Sequence, residues 1–337
     1  MLLGTSFGTI GTVGISLIVM ARVGGGNTLL IAGAILSGAY LGDRASPMSS
    51  SANLVASITN TNLYDNIKRM NKTSIIPLII SLVLYLILSL FAPVNYSNSD
   101  ILSQLTSTFN INIIALLPAL IIIVLSFFKI EVKISMFISI LVAAIISFIL
   151  QHATFIGIIK TAFFGFQLPV SNPLYSIIKG GGILSMIKLA FIVFLSSALT
   201  GIFQGANLLD FIEKYLSKIK RADTLFLTTI VISIISAMVG CTQVLAVMLT
   251  KMTMNNTYRR LGYGKECLAL DLENSAIVIA PLIPWNVAVL VPLTTLGVDA
   301  RAILFTFYLI LLPLISLMTI YLKSKKEFNC TTYNIEK

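Results

Sequence analysis

The chain has 337 residues, of which 57% are hydrophobic and 11% charged, with a mean hydropathy of +0.96. Several apolar runs approach the roughly 20 residues that a bilayer helix needs, which excludes a soluble domain and points to an all-α polytopic membrane protein. The formal charge of +10 does not indicate a nucleic-acid partner, because Lys and Arg fall in short connections between apolar runs, the pattern that sets membrane topology.

The opening MLLGTSFGTIGTVG is a run of Gly and small hydroxyl residues, with no charged region ahead of an apolar one, so no signal peptide is read. Gly permits unusual backbone angles, and Thr5, Ser6 and Thr9 could offer hydroxyl oxygens to a hard cation. Ile15 to Met20 is too short to cross a bilayer. Gly24 to Tyr40 reads as a helix interrupted by Gly42, Asp43, Arg44, Ser46 and Pro47. The polar patch Ser49-Ser50-Ser51-Ala52-Asn53 then leads into Leu54 to Thr59. A basic loop with Lys68, Arg69 and Lys72 is expected next. Continuous spans follow at Ile75–Pro93, Ile111–Phe128 and Ile134–Leu150, then an amphipathic connection over 151–182 and a span from Leu184 to Phe203.

Placing the basic stretches 65–73 and 210–223 in the cytoplasm lets these four spans alternate consistently. The segment Thr224 to Met254 has basic residues on both flanks, so it reads as a re-entrant hairpin with Gly240–Gln243 at its tip. Asp271 to Thr295 is apolar enough to span, yet it starts with Asp271 and Glu273 and is broken by Pro281, Pro284 and Asn286. Interrupted backbone at membrane depth is tolerated only inside protein or beside a water-filled cavity. In both halves a polar tip precedes a proline break by about forty residues, at Gly4–Thr9 before Pro47 and at Gly240–Gln243 before Pro284. The expectation is a pair of inverted-topology repeats with re-entrant hairpins and discontinuous transmembrane helices, framing a midplane site. Asp299 and Arg301 precede a last span, Ile303 to Leu322, and a cytoplasmic tail over 323–337.

One transporter domain over 1–330 is therefore expected, divided as 1–73, 74–209, 210–300 and 301–322. Glu273 is the first candidate for ion or proton coupling, since an ionisable group inside a span is expensive. Asp271 reads as solvated near a loop, and Asp43 as either an ion ligand or the ion-pair partner of Arg44. Ser46, Ser49, Ser51, Asn53, Thr242, Gln243, Asn274, Ser275 and Asn286 are candidate oxygen donors or caps of half-helices. A sodium site at Asn53, Thr242 and Glu273 is expected, and Trp285 either lines the cavity or packs. Cys241, Cys267 and Cys330 lack the spacing of a metal or disulfide framework. The string Gly4-Thr5-Ser6-Phe7-Gly8 has no strand–turn–helix context for a nucleophile elbow, and His152 is the single histidine. No P-loop is present, so neither an enzyme nor an ATP-driven pump is read, and no cofactor is implied.

The runs GTSFGTIGTVG (4–14), AGAILSGAYLGDRASPMSSSANL (32–54) and LALDLENSAIVIAPLIPWN (268–286), with LGV at 296–298, resemble the NhaC-type sodium/proton antiporters. The resemblance implies secondary transport across the cell membrane, with sodium ions and protons as partners and the lipid bilayer as solvent. Exchange of a small organic anion such as malate or lactate is the alternative, since that family includes such carriers. A homodimer is a further expectation. Ser50 stands where the family's first broken helix carries an Asp, and Glu273-Asn274 where a Glu-Asp pair is typical. The chain also begins inside what should be the first hairpin, so an N-terminally truncated form, with an inactive fragment as one outcome, is part of the expectation.

Overall fold

The computed structural model describes residues 6–47, 49–91, 107–110, 112–128, 132–169, 179–180, 219 and 221–324, with scattered positions between 182 and 201. Its described elements are almost entirely helical. The first arm comprises α1 (Ser6–Thr9), a π-helical turn (Ile10–Gly14) and α2 (Ile15–Val23). It is followed by α3 (Thr28–Ala45), α4 (Ser50–Thr59) and α5 (Leu63–Phe91). Next come a 3-10 turn (Ile113–Leu116), α6 (Leu117–Phe127), α7 (Val132–Leu150) and α8 (Phe155–Phe164). A two-residue antiparallel pair joins Phe166–Gln167 to Lys179–Gly180. The C-terminal half holds α9 (Ala222–Gly240), α10 (Gln243–Arg260), α11 (Lys265–Asn274), α12 (Ala276–Ile279) and α13 (Val287–Leu296), then α14 (Phe307–Ser324).

Each break has a local cause. α3 begins where the Asn27 side chain accepts from the Leu29 and Leu30 amides, satisfying donors that a helix start leaves orphaned. It stops at Ser46, because a residue before proline is driven into extended backbone. The chain restarts as α4 when Ser49 caps the amides of Ser51 and Ala52. In the C-terminal half, the helix distorts at Ser275, tightens to a 3-10 turn over Ala280–Leu282 and stops before Pro284. Asn286 then caps the amide of Ala288 and α13 begins, bent by 50° from the segment before the break.

These two regions share one plan at a constant spacing. Segments 6–23 and Gln243–Arg260, Thr28–Ala45 and Lys265–Leu282, and Ser50–Thr59 and Val287–Leu296 are equal in length within each pair, and their starts lie 237 positions apart. The four-residue breaks 46–49 and 283–286 keep that spacing, with near-identical caps at Ser49 (φ −71°, ψ 135°) and Asn286 (φ −73°, ψ 135°). Left-handed backbone recurs at the same offset, at Gly25 and Gly262 and again at Asn60 and Gly297.

The main core gathers residues of both regions, among them Leu36, Tyr40, Val55, Val247, Leu272, Ile277 and Val289. α3 approaches the 3-10 turn Ala300–Phe305 so closely that a Cβ on Gly33 would lie 2.6 Å from the Phe305 backbone. By length and composition, two described helices could cross a membrane, Leu63–Phe91 and Asp223–Gly240, or three if the bent pair Lys265–Leu282 and Val287–Leu296 is one span. Large apolar side chains on α5, such as Leu82, Leu86 and Leu90, are exposed, which lipid favours and water does not.

The structure corrects several sequence expectations. Lys68, Arg69 and Lys72 lie within the first turns of α5, not in a loop, because nothing between Leu63 and Ile75 breaks a helix. The helix expected from Gly24 to Tyr40 starts at Thr28, after a turn that needs Gly25 at φ 66°, and runs on through Asp43 and Arg44 to Ala45. The connection 151–182 contains α8, and the last span is preceded by a 3-10 helix (Ala300–Phe305). Cys267 is disulfide-bonded, a matter of Cβ approach that cysteine spacing does not encode. Most of the expected span Leu184–Phe203 and of the basic stretch 210–223 lies outside the described residues.

Candidate functional site

The two broken helices are tied to each other, and the second break is tied to the turn between α9 and α10. Tyr40 of α3 donates to the Ala288 carbonyl at the start of α13. The α9–α10 turn at Cys241 and Thr242 is tied to the second break at several points. The Val287 backbone amide donates to the Cys241 carbonyl (2.8 Å), and the Asn286 side-chain Nδ2 to Ala237 O (2.9 Å). The Trp285 indole donates to Met238 O (3.0 Å), and Gln243 to Ile277 O (3.1 Å). Half-helix ends thus meet within the protein, where their freed backbone groups find partners.

Three charged residues lie at this junction. Asp43, in the last turn of α3, accepts from Ser49 Oγ at one oxygen (2.8 Å) and from Ser51 Oγ at the other (2.9 Å). Ser6 adds a backbone hydrogen bond to Asp43 and a side-chain bond to Tyr40. Arg44 is 0% exposed and does not pair with Asp43, since successive helical residues point to different sides. Its guanidinium donates to Ser74 (2.6 Å), Tyr308 (3.0 Å), Thr73 (3.1 Å) and Asn274, so it joins α3 to α5, α14 and α11. Glu273 is also 0% exposed, and neither of its oxygens has a hydrogen-bond partner among the described residues. It lies within electrostatic reach of Arg44 and Asp43. A buried carboxylate without hydrogen bonds carries a desolvation cost that a structural residue does not ordinarily bear.

The sequence candidates divide accordingly. Ser6, Asp43, Ser49 and Ser51 form one hydrogen-bonded group, and Asn274 and Glu273 face it across Arg44. Ser275 donates to the Asp271 carbonyl and accepts from Ser233 (3.1 Å), bracing the distortion in the helix. Ser46 is buried at the end of α3, and its carbonyl accepts from the Ser49 amide. Thr242, Ser49 and Asn286 act as helix caps. Thr9 lines an apolar cavity of about 460 Å³ between the first arm and α3. Asn53 is exposed and donates to the carbonyls of Pro47 and Ser49. No hydrogen bond joins Asn53, Thr242 and Glu273 among the described residues. Thr5 lies outside the described residues. Asp271, expected to be solvated near a loop, lies within α11 and accepts instead from the Tyr258 hydroxyl (2.6 Å).

Sequence reasoning missed the neutral partners of Arg44, namely Thr73, Ser74 and Tyr308, which come from distant helices and carry no motif. Arg44 itself was legible, since a cation within an apolar helix marks a site by default. Among the described residues no group of three or more His, Cys, Asp or Glu could hold a metal ion.

An all-α membrane protein whose discontinuous helices bring buried carboxylates together at their breaks has the construction of an ion-coupled transporter. Residues 38–323 match the model of the Na+/H+ antiporter family, and the chain belongs to that family. It is 28% identical over 329 residues to the Na(+)/H(+) antiporter NhaC of Alkalihalophilus pseudofirmus, covering 95% of this chain and 70% of that protein. It is 28% identical over 289 residues to the Malate-2H(+)/Na(+)-lactate antiporter of Bacillus subtilis, covering 84% and 62%. Similarity extends to the Arginine/ornithine antiporter ArcD of Halobacterium salinarum, 27% identical over 325 residues, covering 93% and 66%. The chain therefore spans about two thirds of the length of these relatives. No solved structure matches it.

Proposed function

We propose that this chain exchanges sodium ions for protons across the cell membrane by alternating access. The observation that carries the reading is Glu273, fully buried and without a hydrogen-bond partner, beside Asp43 and Arg44 where two broken helices meet. A proton or a sodium ion can neutralise that carboxylate in turn. The constant 237-residue spacing between the two arm-and-broken-helix regions supports a reading as inverted-topology repeats. In that reading α9 and α10 form a re-entrant hairpin with its tip at Cys241–Thr242. Basic residues at the start of α5 support placing that end, and with it the C-terminus, in the cytoplasm.

Exchange of a small organic anion is the second reading, favoured by the malate/lactate and arginine/ornithine carriers among the relatives. Against it, both terminal nitrogens of Arg44 are already engaged by neutral side chains, which leaves only its Nε to receive a substrate carboxylate. Vesicles containing the purified protein decide between the two. A sodium gradient alone should drive proton movement, with no need for malate, lactate or an amino acid. Flux of labelled malate or lactate without a sodium-driven pH change would replace the first reading by the second.

A further inference from the structure

We infer that Arg44 is a built-in counter-charge that leaves the site room for a single exchangeable cation, so that one sodium ion exchanges for one proton with no net charge moved. The inference rests on the exchange reading above and concerns how many charges that site carries.

The argument is a charge count at the junction. Arginine stays protonated in proteins, so Arg44 contributes a permanent positive charge. That charge is dry: the residue is 0% exposed, and each of its hydrogen-bond partners, Thr73, Ser74, Asn274 and Tyr308, is neutral. These bonds hold the guanidinium in place without using a carboxylate, and its Nε has no partner among the described residues. Two carboxylates neighbour it, Asp43 next to it in the chain and Glu273 next to its partner Asn274, and Glu273 lies within electrostatic reach of both Arg44 and Asp43.

The two carboxylates are not equivalent. Asp43 has both oxygens engaged by serine hydroxyls, whereas Glu273 has neither engaged. Asp271 does not join the count, because residues two apart on a helix face different ways and its carboxylate is held by Tyr258. Asp43, Arg44 and Glu273 together carry one net negative charge when both acids are ionised. One sodium ion or one proton brings the group to zero, and a second cation would leave a net positive charge buried, which is strongly disfavoured. The loaded forms that can reorient are therefore those with one cation, and Glu273 is where it sits. Ser50 and Asn274 are neutral and add no charge to the count.

The test is the voltage dependence of the sodium gradient that just balances a fixed proton gradient in vesicles, set at 0 and at −100 mV with potassium and valinomycin. A carrier that moves one net charge per cycle shifts this balance point by roughly 50-fold over 100 mV, since one charge is worth about 2.3 kcal/mol. The wild type and Arg44→Lys should show no shift and should bind one sodium ion per chain in equilibrium dialysis with radioactive sodium, whereas Arg44→Gln, with a second negative charge to neutralise, should bind two. A voltage-dependent balance point in the wild type overturns the inference while leaving sodium/proton exchange intact, and so does an Arg44→Gln that still binds a single sodium ion. Absence of any sodium-driven proton movement in the wild type overturns the exchange reading, and this inference with it. Should Arg44→Gln fail to fold, the wild type and Arg44→Lys still decide.

Discussion

Replacing Glu273 by Gln keeps the shape of a fully buried side chain and removes its charge. Two accounts of that charge make different predictions. If it is a structural partner of Arg44, its removal strands a buried guanidinium and costs roughly 3–5 kcal/mol of stability. If it receives an exchangeable cation, the four hydrogen bonds of Arg44 to neutral partners already hold the guanidinium, and the variant loses little in sodium-free buffer. What it loses is stabilisation by sodium, which for one site at ~100-fold above Kd amounts to about 2.7 kcal/mol. The assay is thermal unfolding in detergent, with sodium chloride against choline chloride at one ionic strength. The wild type should unfold at higher temperature in sodium, and Glu273→Gln should unfold alike in both salts, within about 1 kcal/mol of the wild type in choline. A sodium-dependent shift that survives in Glu273→Gln, or a loss of several kcal/mol in choline, would refute the reasoning.

Two further changes probe the scaffold that makes the breaks. Asn286→Ala removes both the cap of α13 and the bond to Ala237 O, and should cost about 1–3 kcal/mol in a denaturation series while weakening transport. Gly33→Ala places a Cβ 2.6 Å from the Phe305 backbone and should lower stability by about 1–3 kcal/mol, whereas Gly38→Ala, with open space around it, should be near neutral. Equal melting temperatures for the two glycine variants would show that α3 and the Ala300–Phe305 turn are not in fixed contact.

Much of the fold was legible because its signals are local. Pro47 and Pro284 end helices through the backbone of the residue before them, and Ser49 and Asn286 restart helices through their own side chains. Such effects act within four residues and can be read from a string. The turn at Cys241–Thr242 was legible for the same reason, a glycine followed by a capping threonine. Polarity alone makes the basic stretch after Asn60 resemble a loop. It is the polar end of α5, and charged residues with long side chains are good helix formers.

The site was legible in its members and not in its connections. Asp43, Glu273 and Asn274 stand out as polar groups in apolar segments, and adjacency alone makes an ion pair with Arg44 one of two readings of Asp43. The fold instead directs Arg44 to Thr73, Ser74, Asn274 and Tyr308, which lie 29 to 264 positions away. It leaves Asn53 exposed beside the first break and Glu273 buried.

By itself the sequence determined the solvent this chain is built for, the places where its helices break, and the family it resembles. Hydropathy and backbone sterics are properties of short segments, so no partner is needed to express them. Which carboxylate stays without hydrogen bonds, and which neutral groups hold Arg44, was decided only by tertiary structure. The reason is that a charge's energy in a dry interior depends on everything within several ångströms, and those neighbours arrive from helices far apart in the chain.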